Sequence, residues 1–315
     1  MSTKEGIVVR AGNGVYSVQS NGQVMHCTLR GNLKKELQYS TSGSNPRRVT
    51  RAKRQWVHDT ISIGDHVKYV ETKHGAGVIE EILPRKTAFT RSGFRGKEQT
   101  IVSNLDQLMI VFSVAEPRLD PWKLDRFLIV AEASEIEPII IANKGDLATD
   151  QELAESFGPF RELGYRVLLT SVKDSRGLEE LRTTLNGKVS AFVGPSGVGK
   201  SSLLNALQPG LNLKTADIGY VTFKGRHTTT SSQLIPLRFG GWVADTPGLR
   251  DLDLAAEHLD ELEHNFPEFK EHLGNCRFQD CHHDKEPGCA IKAAVESGQV
   301  QARRYESFLS LAGKE

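Results

Sequence analysis

The sequence predicts a multi-domain protein with three regions: an N-terminal OB-like β-barrel, a central α/β region with a parallel sheet, and a helical C-terminal region. Residues 5–90 contain short apolar segments separated by turn residues, a pattern typical of small barrels. From about residue 104, apolar strands alternate with helical segments, as in doubly wound sheets. After about residue 254 the chain becomes helical and charged, and it contains three cysteines there.

The N-terminal region has five segments with strand-like composition. Turn residues such as Gly12-Asn13-Gly14 and Asn21-Gly22 separate them. Five short strands within the first 90 residues favour a small barrel, and the OB type is the first candidate. The predicted strands are residues 6–10, 15–19, 24–28, 66–71 and 77–82.

A basic stretch lies in the long connection between the third and fourth predicted strands. Between Leu37 and His58 the sequence has no acidic residue. Such a patch can neutralise the phosphates of nucleic acid, whereas the alternative interpretation is a solvated loop, and the run alone favours neither. The candidate RNA-binding residues are Arg47, Arg48, Arg51, Lys53 and Arg54.

Length and composition are those of an ordinary globular protein with room for more than one core. The chain has 315 residues, of which 38% are hydrophobic and 25% charged. Its net charge of +1 indicates no class of partner. The apolar run 108–115 is too short to span a bilayer, and the N-terminus lacks the apolar core of a signal peptide. We therefore expect a cytoplasmic protein that does not enter a membrane.

The central region contains a phosphate-binding loop at residues 194–201, which read G-P-S-G-V-G-K-S and match the pattern G-x-x-x-x-G-K-S. An apolar strand precedes the loop and an amphipathic helix follows it, which is the context that the pattern requires. The glycines let successive N–H groups face the phosphates, and the helix N-terminus adds partial positive charge. Lys200 is expected to contact the β- and γ-phosphates, and Ser201 is expected to bind Mg²⁺.

A second motif, N-K-G-D at residues 143–146, follows the apolar strand 139–142 and matches the guanine-reading pattern N-K-x-D. The Asp146 carboxylate can accept two hydrogen bonds from guanine, whereas adenine offers no matching pair of donors. Four residues are a weak signal alone, but these end a parallel strand, at the edge where such sheets bind ligands. Residues 171–173, S-V-K, resemble the S-A-K element that backs the same base, with Val172 in place of the commoner Ala.

The order of these motifs is circularly permuted. An ordinary GTPase begins with the phosphate loop and ends with N-K-x-D and S-A-K, whereas here the last two come first. A threonine cluster at 228–230 and D-T-P-G at 245–248 follow the phosphate loop. We expect Asp245 to contact Mg²⁺ and the Gly248 N–H to contact the γ-phosphate. The residues expected to bind GTP are Asn143, Lys144, Gly145, Asp146, Ser171, Val172, Lys173, Gly194, Pro195, Ser196, Gly197, Val198, Gly199, Lys200, Ser201, Ser202, Asp245 and Gly248.

The C-terminal cysteines form a pattern suited to metal binding. Without a secretion signal, such a cluster is a poor disulfide framework. Three thiolates and one imidazole would close a tetrahedral zinc site with no open position, so the zinc would be structural. The candidate ligands are Cys276, Cys281, Cys289 and either His282 or His283. The fourth cysteine, Cys27, lies in a predicted strand and is expected to be a small core residue.

The motif order, the segment Gly225-Arg-His-Thr-Thr-Thr230 and the C-terminal cysteine spacing resemble the RsgA (YjeQ) family of small-ribosomal-subunit-dependent GTPases. The resemblance covers essentially the whole chain. It implies an OB-fold RNA-binding domain at 1–95, a permuted GTPase domain at 96–254 and a zinc-binding helical domain at 255–315. It also implies one structural Zn²⁺ with the ligands Cys276, Cys281, His283 and Cys289.

The resemblance further implies a role late in the maturation of the 30S subunit, with binding to 16S rRNA and with GTP hydrolysis driving release. It assigns water positioning to His227, because Leu249 stands where many GTPases carry Gln. Alignment with other permuted GTPases favours Thr229 as the threonine that binds Mg²⁺. We expect a monomer whose slow turnover is accelerated by the small subunit.

Two other functions stay open. The first is an RNA-bound adaptor, in which bound GTP would only stabilise one conformation of the protein and its hydrolysis would be incidental. Leu249, in place of Gln, favours the adaptor, whereas His227 favours an enzyme. The second alternative is a P-loop protein that uses ATP, and Asp146 argues against it.

Overall fold

The structure is a computed structural model, and it describes residues 3–12, 14–31, 35–39, 49–54, 61–72, 75–92, 98–211, 232–245 and 261–313. These residues form two compact units. The first unit consists of the described residues up to 106, with 187–190 and 232–245; the second consists of 107–186, 191–211 and 261–313. The three-domain boundaries predicted after residues 95 and 254 stay predictions.

Strands dominate the first unit and alternate with helices in the second. In chain order, the strands are β1 (Lys4–Gly12), β2 (Val15–Ser20), β3 (Gln23–Leu29), β4 (Lys35–Tyr39), β5 (Val49–Arg54), β6 (His66–Glu71), β7 (Gly77–Ile82), β8 (Ala88–Ser92), β9 (Glu98–Ser103), β10 (Gln107–Ser113), β11 (Glu137–Asn143), β12 (Arg166–Leu169), β13 (Val189–Val193), β14 (Gln233–Pro236) and β15 (Trp242–Asp245). The helices are α1 (Pro121–Ala133), α2 (Asp150–Glu162), α3 (Leu178–Leu185), α4 (Lys200–Leu207), α5 (Ala290–Glu296) and α6 (Ala302–Leu311). Among the described helices, none is long and apolar enough to cross a membrane.

Five strands of the first unit close into a barrel, which confirms the predicted OB-like fold. β1 pairs with β2, β2 with β3, β3 with β7 and β7 with β6, and β6 returns to pair with β1. The pair of β3 with β7 is parallel, and the other four pairs are antiparallel. The barrel strands are the five that turn residues and strand-like composition indicate in the sequence.

The barrel encloses its own core because alternate side chains of each strand point inward. Val8, Val18, Val67 and Ile79 are fully buried there, and so is Cys27. Burial raises the pKa of the Cys27 thiol to about 11, so the thiol stays protonated at neutral pH. The prediction that Cys27 is a small core residue is confirmed.

Two further strand pairs lie where the sequence predicts connections. β4 pairs antiparallel with β5, and β8 pairs antiparallel with β9. The candidate RNA-binding residues Arg51, Lys53 and Arg54 therefore lie on a strand, whereas Arg47 and Arg48 lie outside the described residues. Polar and charged residues make up much of these strands, so hydrophobic periodicity does not reveal them.

The second unit contains β10, β11, β12 and the end of β13, which are neighbours in the strand order β12-β11-β10-β13. β10 runs parallel to β11 with Ser113 opposite Asn143, and β12 runs parallel to β11. Every residue of β10 is buried, as expected for a strand covered on both faces. The predicted α/β region is confirmed, and the carboxyl ends of its strands meet at one edge.

Side-chain caps fix where two helices begin beside this edge. The Asp120 carboxylate accepts hydrogen bonds from the first backbone N–H groups of α1. Thr149 and Glu152 form a capping box at the start of α2, immediately after the N-K-G-D motif. Caps of this kind stabilise a helix start by about 1 kcal/mol.

The C-terminal residues of the second unit pack around three phenylalanines. The rings of Phe266, Phe269 and Phe308 are all buried, with centroids 5.0, 5.3 and 5.6 Å apart. Ile129 of α1 belongs to the same buried cluster. The C-terminal region therefore shares a hydrophobic core with α1.

A buried ion network also joins α6 to α1. Arg304 donates to Asp125 at 2.7 Å and to Glu268 at 2.6 Å, and Arg303 donates to Asp125 at 2.6 Å. The side chains of Arg304 and Asp125 are fully buried. Because breaking a buried pair leaves an uncompensated charge, this network holds α6 firmly against α1.

The buried Asp65 carboxylate predicts a measurable contribution to stability. It accepts hydrogen bonds from Arg85 at 2.7 and 2.8 Å and from the backbone N–H of Ser62 at 2.9 Å. The Asp65→Ala substitution leaves the Arg85 charge without this carboxylate, so we expect the free energy of unfolding to fall by about 3 kcal/mol. Chemical denaturation measures this change.

The exposed pair of Lys68 and Glu81, at 2.9 Å, supplies the matched control. The Glu81→Ala substitution should lower the free energy of unfolding far less than Asp65→Ala does, because water screens exposed charges. Equal losses for the two variants would contradict the dependence on burial.

Candidate nucleotide site and metal centre

The phosphate loop lies between β13 and α4, as the sequence predicts. Gly194 and Gly199 have φ values of 131° and 97°, which favour glycine. A Cβ at Gly194 would lie 2.1 Å from the carbonyl oxygen of Val111, and one at Gly199 would lie 2.4 Å from Asn143 Nδ2. Both glycines therefore allow the loop to lie directly against β10 and β11.

The Lys200 ammonium folds over this loop. Its Nζ donates to the carbonyl oxygens of Gly194 and Pro195, both at 2.7 Å. Ser201 is buried in the first turn of α4. The structure thus gathers one stretch of predicted phosphate-binding residues: Gly194, Pro195, Ser196, Gly197, Val198, Gly199, Lys200, Ser201 and Ser202.

Asn143 connects this loop to the guanine motif. Its side chain is buried at the end of β11. Nδ2 donates to the carbonyl oxygen of Val198 at 2.8 Å, and Thr170 Oγ1 donates to Oδ1 at 3.0 Å. Because the two bonds use opposite ends of the amide, they fix its orientation. The first residue of the N-K-x-D motif therefore connects the phosphate loop to Thr170, which precedes the predicted base-reading segment at 171–173.

The Asp146 carboxylate lies beside the S-V-K segment. Ser171 Oγ donates to its Oδ1 at 2.8 Å, and Lys173 Nζ lies 3.7 Å from its Oδ2. The side chain of Asp146 is 15% exposed, and Val172 is exposed. A carboxylate has more lone pairs than these contacts use, so Asp146 can also accept the two guanine donors.

Sequence reasoning missed two contributors to the site, Thr170 and Glu116. Thr170 is fully buried, and its carbonyl oxygen accepts from the Gly145 N–H at 3.1 Å, in addition to its bond with Asn143. Lys144 Nζ donates to the carbonyl oxygen of Glu116. Thr170 could have been found in the sequence, because its hydroxyl directly precedes the S-V-K segment. Glu116 could not, because it contributes a backbone carbonyl that any residue would supply.

The predicted switch residues are described only in part. Asp245 ends β15 in the first unit, and Gln233 Nε2 donates to its Oδ2 at 3.3 Å. His227, Thr229 and Gly248 lie outside the described residues, so their roles stay predictions.

Four side chains of the C-terminal region form a metal-sized cluster, and their ligand atoms all lie within 4.8 Å of one another. His283 Nδ1 is 3.5 Å from Cys276 Sγ and 3.4 Å from Cys289 Sγ, and these sulfurs are 4.0 Å apart. A tetrahedral site with metal–sulfur bonds of about 2.3 Å has edges of about 3.8 Å, so the cluster fits a four-coordinate ion. Its members are Cys276, Cys281, His283 and Cys289.

The structure distinguishes between the two neighbouring histidines, because His283 is buried within the cluster and His282 is exposed outside it. The Ala290 N–H donates to Cys276 Sγ at 3.3 Å, a bond that favours the thiolate. Burial raises the pKa of the Cys281 thiol to about 12. A metal ion that binds there must therefore displace this proton.

Comparisons with known proteins agree with these motifs. A family model described as RsgA GTPase matches residues 82–255. The small ribosomal subunit biogenesis GTPase RsgA of Moorella thermoacetica is 41% identical, over 97% of this chain and 95% of its own length. The chain belongs to the RsgA GTPase family. The RsgA protein of Gemmatimonas aurantiaca is also 41% identical to this RsgA-family chain, over 97% of this chain and 95% of its own length.

Solved structures of similar proteins support the same assignment. The crystal structure of YjeQ from Thermotoga maritima matches with a TM-score of 0.76 and 34% identity, over 99% of this chain and 98% of that one. The crystal structure of YloQ, described as a circularly permuted GTPase, matches with a TM-score of 0.73 and 32% identity, over 99% and 95%. The resemblance to the RsgA (YjeQ) family is thus confirmed over nearly the whole chain.

The cluster geometry predicts that Cys289 is required for metal binding. The Cys289→Ser substitution removes one of the four predicted ligands. We expect about one metal ion per chain in the parent protein and well under half of that in the variant. Elemental analysis by plasma mass spectrometry measures this content. The matched His282→Ala variant should keep its metal, and equal losses for the two variants would contradict the ligand assignment.

Proposed function

We propose that this member of the RsgA family hydrolyses GTP to GDP and phosphate and acts in the late maturation of the small ribosomal subunit. The observation that supports this proposal is the pair of hydrogen bonds made by the Asn143 side chain, one to the loop at 194–201 and one to Thr170, which precedes the S-V-K segment. The names of curated relatives that match 97% of the chain support the ribosomal role.

Each motif contributes one part of the nucleotide contact. Asp146 accepts hydrogen bonds from guanine N1–H and from its exocyclic amine. The N–H groups of Gly194 and of residues 196–199 and the Lys200 ammonium face the phosphates, and the Gly248 N–H contacts the γ-phosphate. Bound Mg²⁺ neutralises charge on the β- and γ-phosphate oxygens. Its proposed ligands are Ser201, Thr229 and Asp245.

Hydrolysis requires a group that orients the attacking water. Leu249 follows the D-T-P-G motif and has no polar atom on its side chain. The imidazole of His227, within the Gly225–Thr230 segment, can donate and accept hydrogen bonds. We therefore assign water positioning to His227.

We assign zinc to the Cys₃His cluster. Three thiolates and an imidazole are the ligands that Zn²⁺ prefers, and four protein ligands leave no open coordination position. The ion would then stabilise a region of short helices and turns. Its role is structural.

We propose that the barrel and its basic connection bind 16S rRNA on the small subunit. Arginine and lysine side chains neutralise RNA phosphates, and the candidate residues are Arg47, Arg48, Arg51, Lys53 and Arg54. A ribosome-bound role places the protein in the cytoplasm, and we expect it to act as a monomer.

The test is GTP hydrolysis by the purified protein with and without isolated 30S subunits. We expect slow turnover alone and at least tenfold faster turnover with 30S subunits, because contact with the small subunit would complete the site around the attacking water. Phosphate release measures both rates. ATP is the substrate control and should not be turned over under either condition.

The His227→Ala variant distinguishes an enzyme from an adaptor. We expect it to bind GTP with parental affinity and to lose most of the stimulated hydrolysis. Full stimulated activity in this variant would remove His227 from the mechanism. The parent protein could instead bind GTP and 30S subunits without any increase in its rate of GTP hydrolysis. That result would favour an adaptor, as Leu249 does.

A further inference from the structure

Tyr305 contacts the metal cluster from outside the four ligands. It lies on α6, and its hydroxyl donates to the backbone carbonyl oxygen of His283 at 2.6 Å, across 22 positions of sequence. A phenol hydroxyl can donate one hydrogen bond, and a carbonyl oxygen can only accept. The Tyr305 side chain is therefore a hydrogen-bond donor to the backbone of one ligand.

His283 has a backbone conformation that needs such support. Its φ is 60°, in the left-handed region, which is unfavourable for a residue with a Cβ. This conformation accompanies the placement of Nδ1 within 3.5 Å of Cys276 Sγ and 3.4 Å of Cys289 Sγ. A bond to the His283 carbonyl oxygen therefore stabilises the conformation in which the ring faces the sulfurs.

The position of Tyr305 is itself fixed by α6. Arg304, the preceding residue, is fully buried and bonded to Asp125 and Glu268. The Tyr305 ring stacks on Phe308, three residues further along the helix, with ring centroids 6.4 Å apart. The Phe308 ring in turn lies 6.2 Å from the His283 ring. The hydroxyl thus reaches His283 from a helix that buried contacts hold in place.

We propose that Tyr305 is a positioning residue for the metal site: it holds His283 in its left-handed conformation and so keeps the imidazole ready to bind the ion. The inference rests on the proposed metal site and adds a residue outside the Cys₃His set. Partners that orient metal ligands typically contribute 10- to 100-fold in metal affinity. Tyr305 is half-buried, so water can replace part of its bond, and we expect the lower end of that range.

The test compares the affinity for Co²⁺ of two full-length proteins, the parent and the Tyr305→Phe variant, after their metal has been removed. The visible absorption of tetrahedral Co²⁺ measures binding during the titration. The substitution keeps the ring that stacks on Phe308 and removes only the hydroxyl. We expect about tenfold weaker binding with the same absorption spectrum at saturation. Competition with a chelator should give the same ratio for Zn²⁺.

Ser297→Ala is the matched control, because it removes a hydroxyl that donates to Ala294 at the end of α5 rather than to a ligand. This variant should bind Co²⁺ like the parent. If Tyr305→Phe binds Co²⁺ with an affinity within twofold of the parent, the proposed role of Tyr305 is wrong, but the proposed metal site still stands. A parent protein without a tetrahedral Co²⁺ spectrum would overturn both proposals.

Discussion

The site depends on one buried amide, that of Asn143. One end of it donates to the phosphate loop at Val198, and the other accepts from Thr170 beside the S-V-K segment. These bonds fix the position of the loop at 194–201 relative to the predicted guanine-reading segments before any ligand binds. A site that is ordered in advance loses less conformational entropy when a ligand binds.

Permutation of the motifs leaves this constraint intact. Asn143 and Val198 are 55 positions apart in sequence, yet their strands end at one edge of the sheet. What matters to the site is the order of strands in space, β12-β11-β10-β13, and not the order of motifs along the chain. The C-terminal region is attached to the same unit through α6, whose Arg304 bonds to Asp125 on α1.

The sequence predicts those parts of the structure that local patterns encode. The parallel strands, the phosphate loop and the Cys₃His spacing each have a compact signature, and the structure contains all three. The pairs β4–β5 and β8–β9 lack apolar alternation, so only the folded chain reveals them. The same holds for the Arg304 network, because Asp125 lies 179 positions from Arg304 and no local pattern connects them.

Amide hydrogen exchange of residues 194–200 in an Asn143→Ala variant tests the central role of this amide most directly. Loss of the bond to Val198 should free the loop and raise its exchange about tenfold, the equivalent of about 1.4 kcal/mol. A Thr149→Ala variant, which removes the cap of α2, should leave the loop unchanged. Parental exchange in the Asn143→Ala loop would contradict the account, because the two segments would then be held together by other contacts.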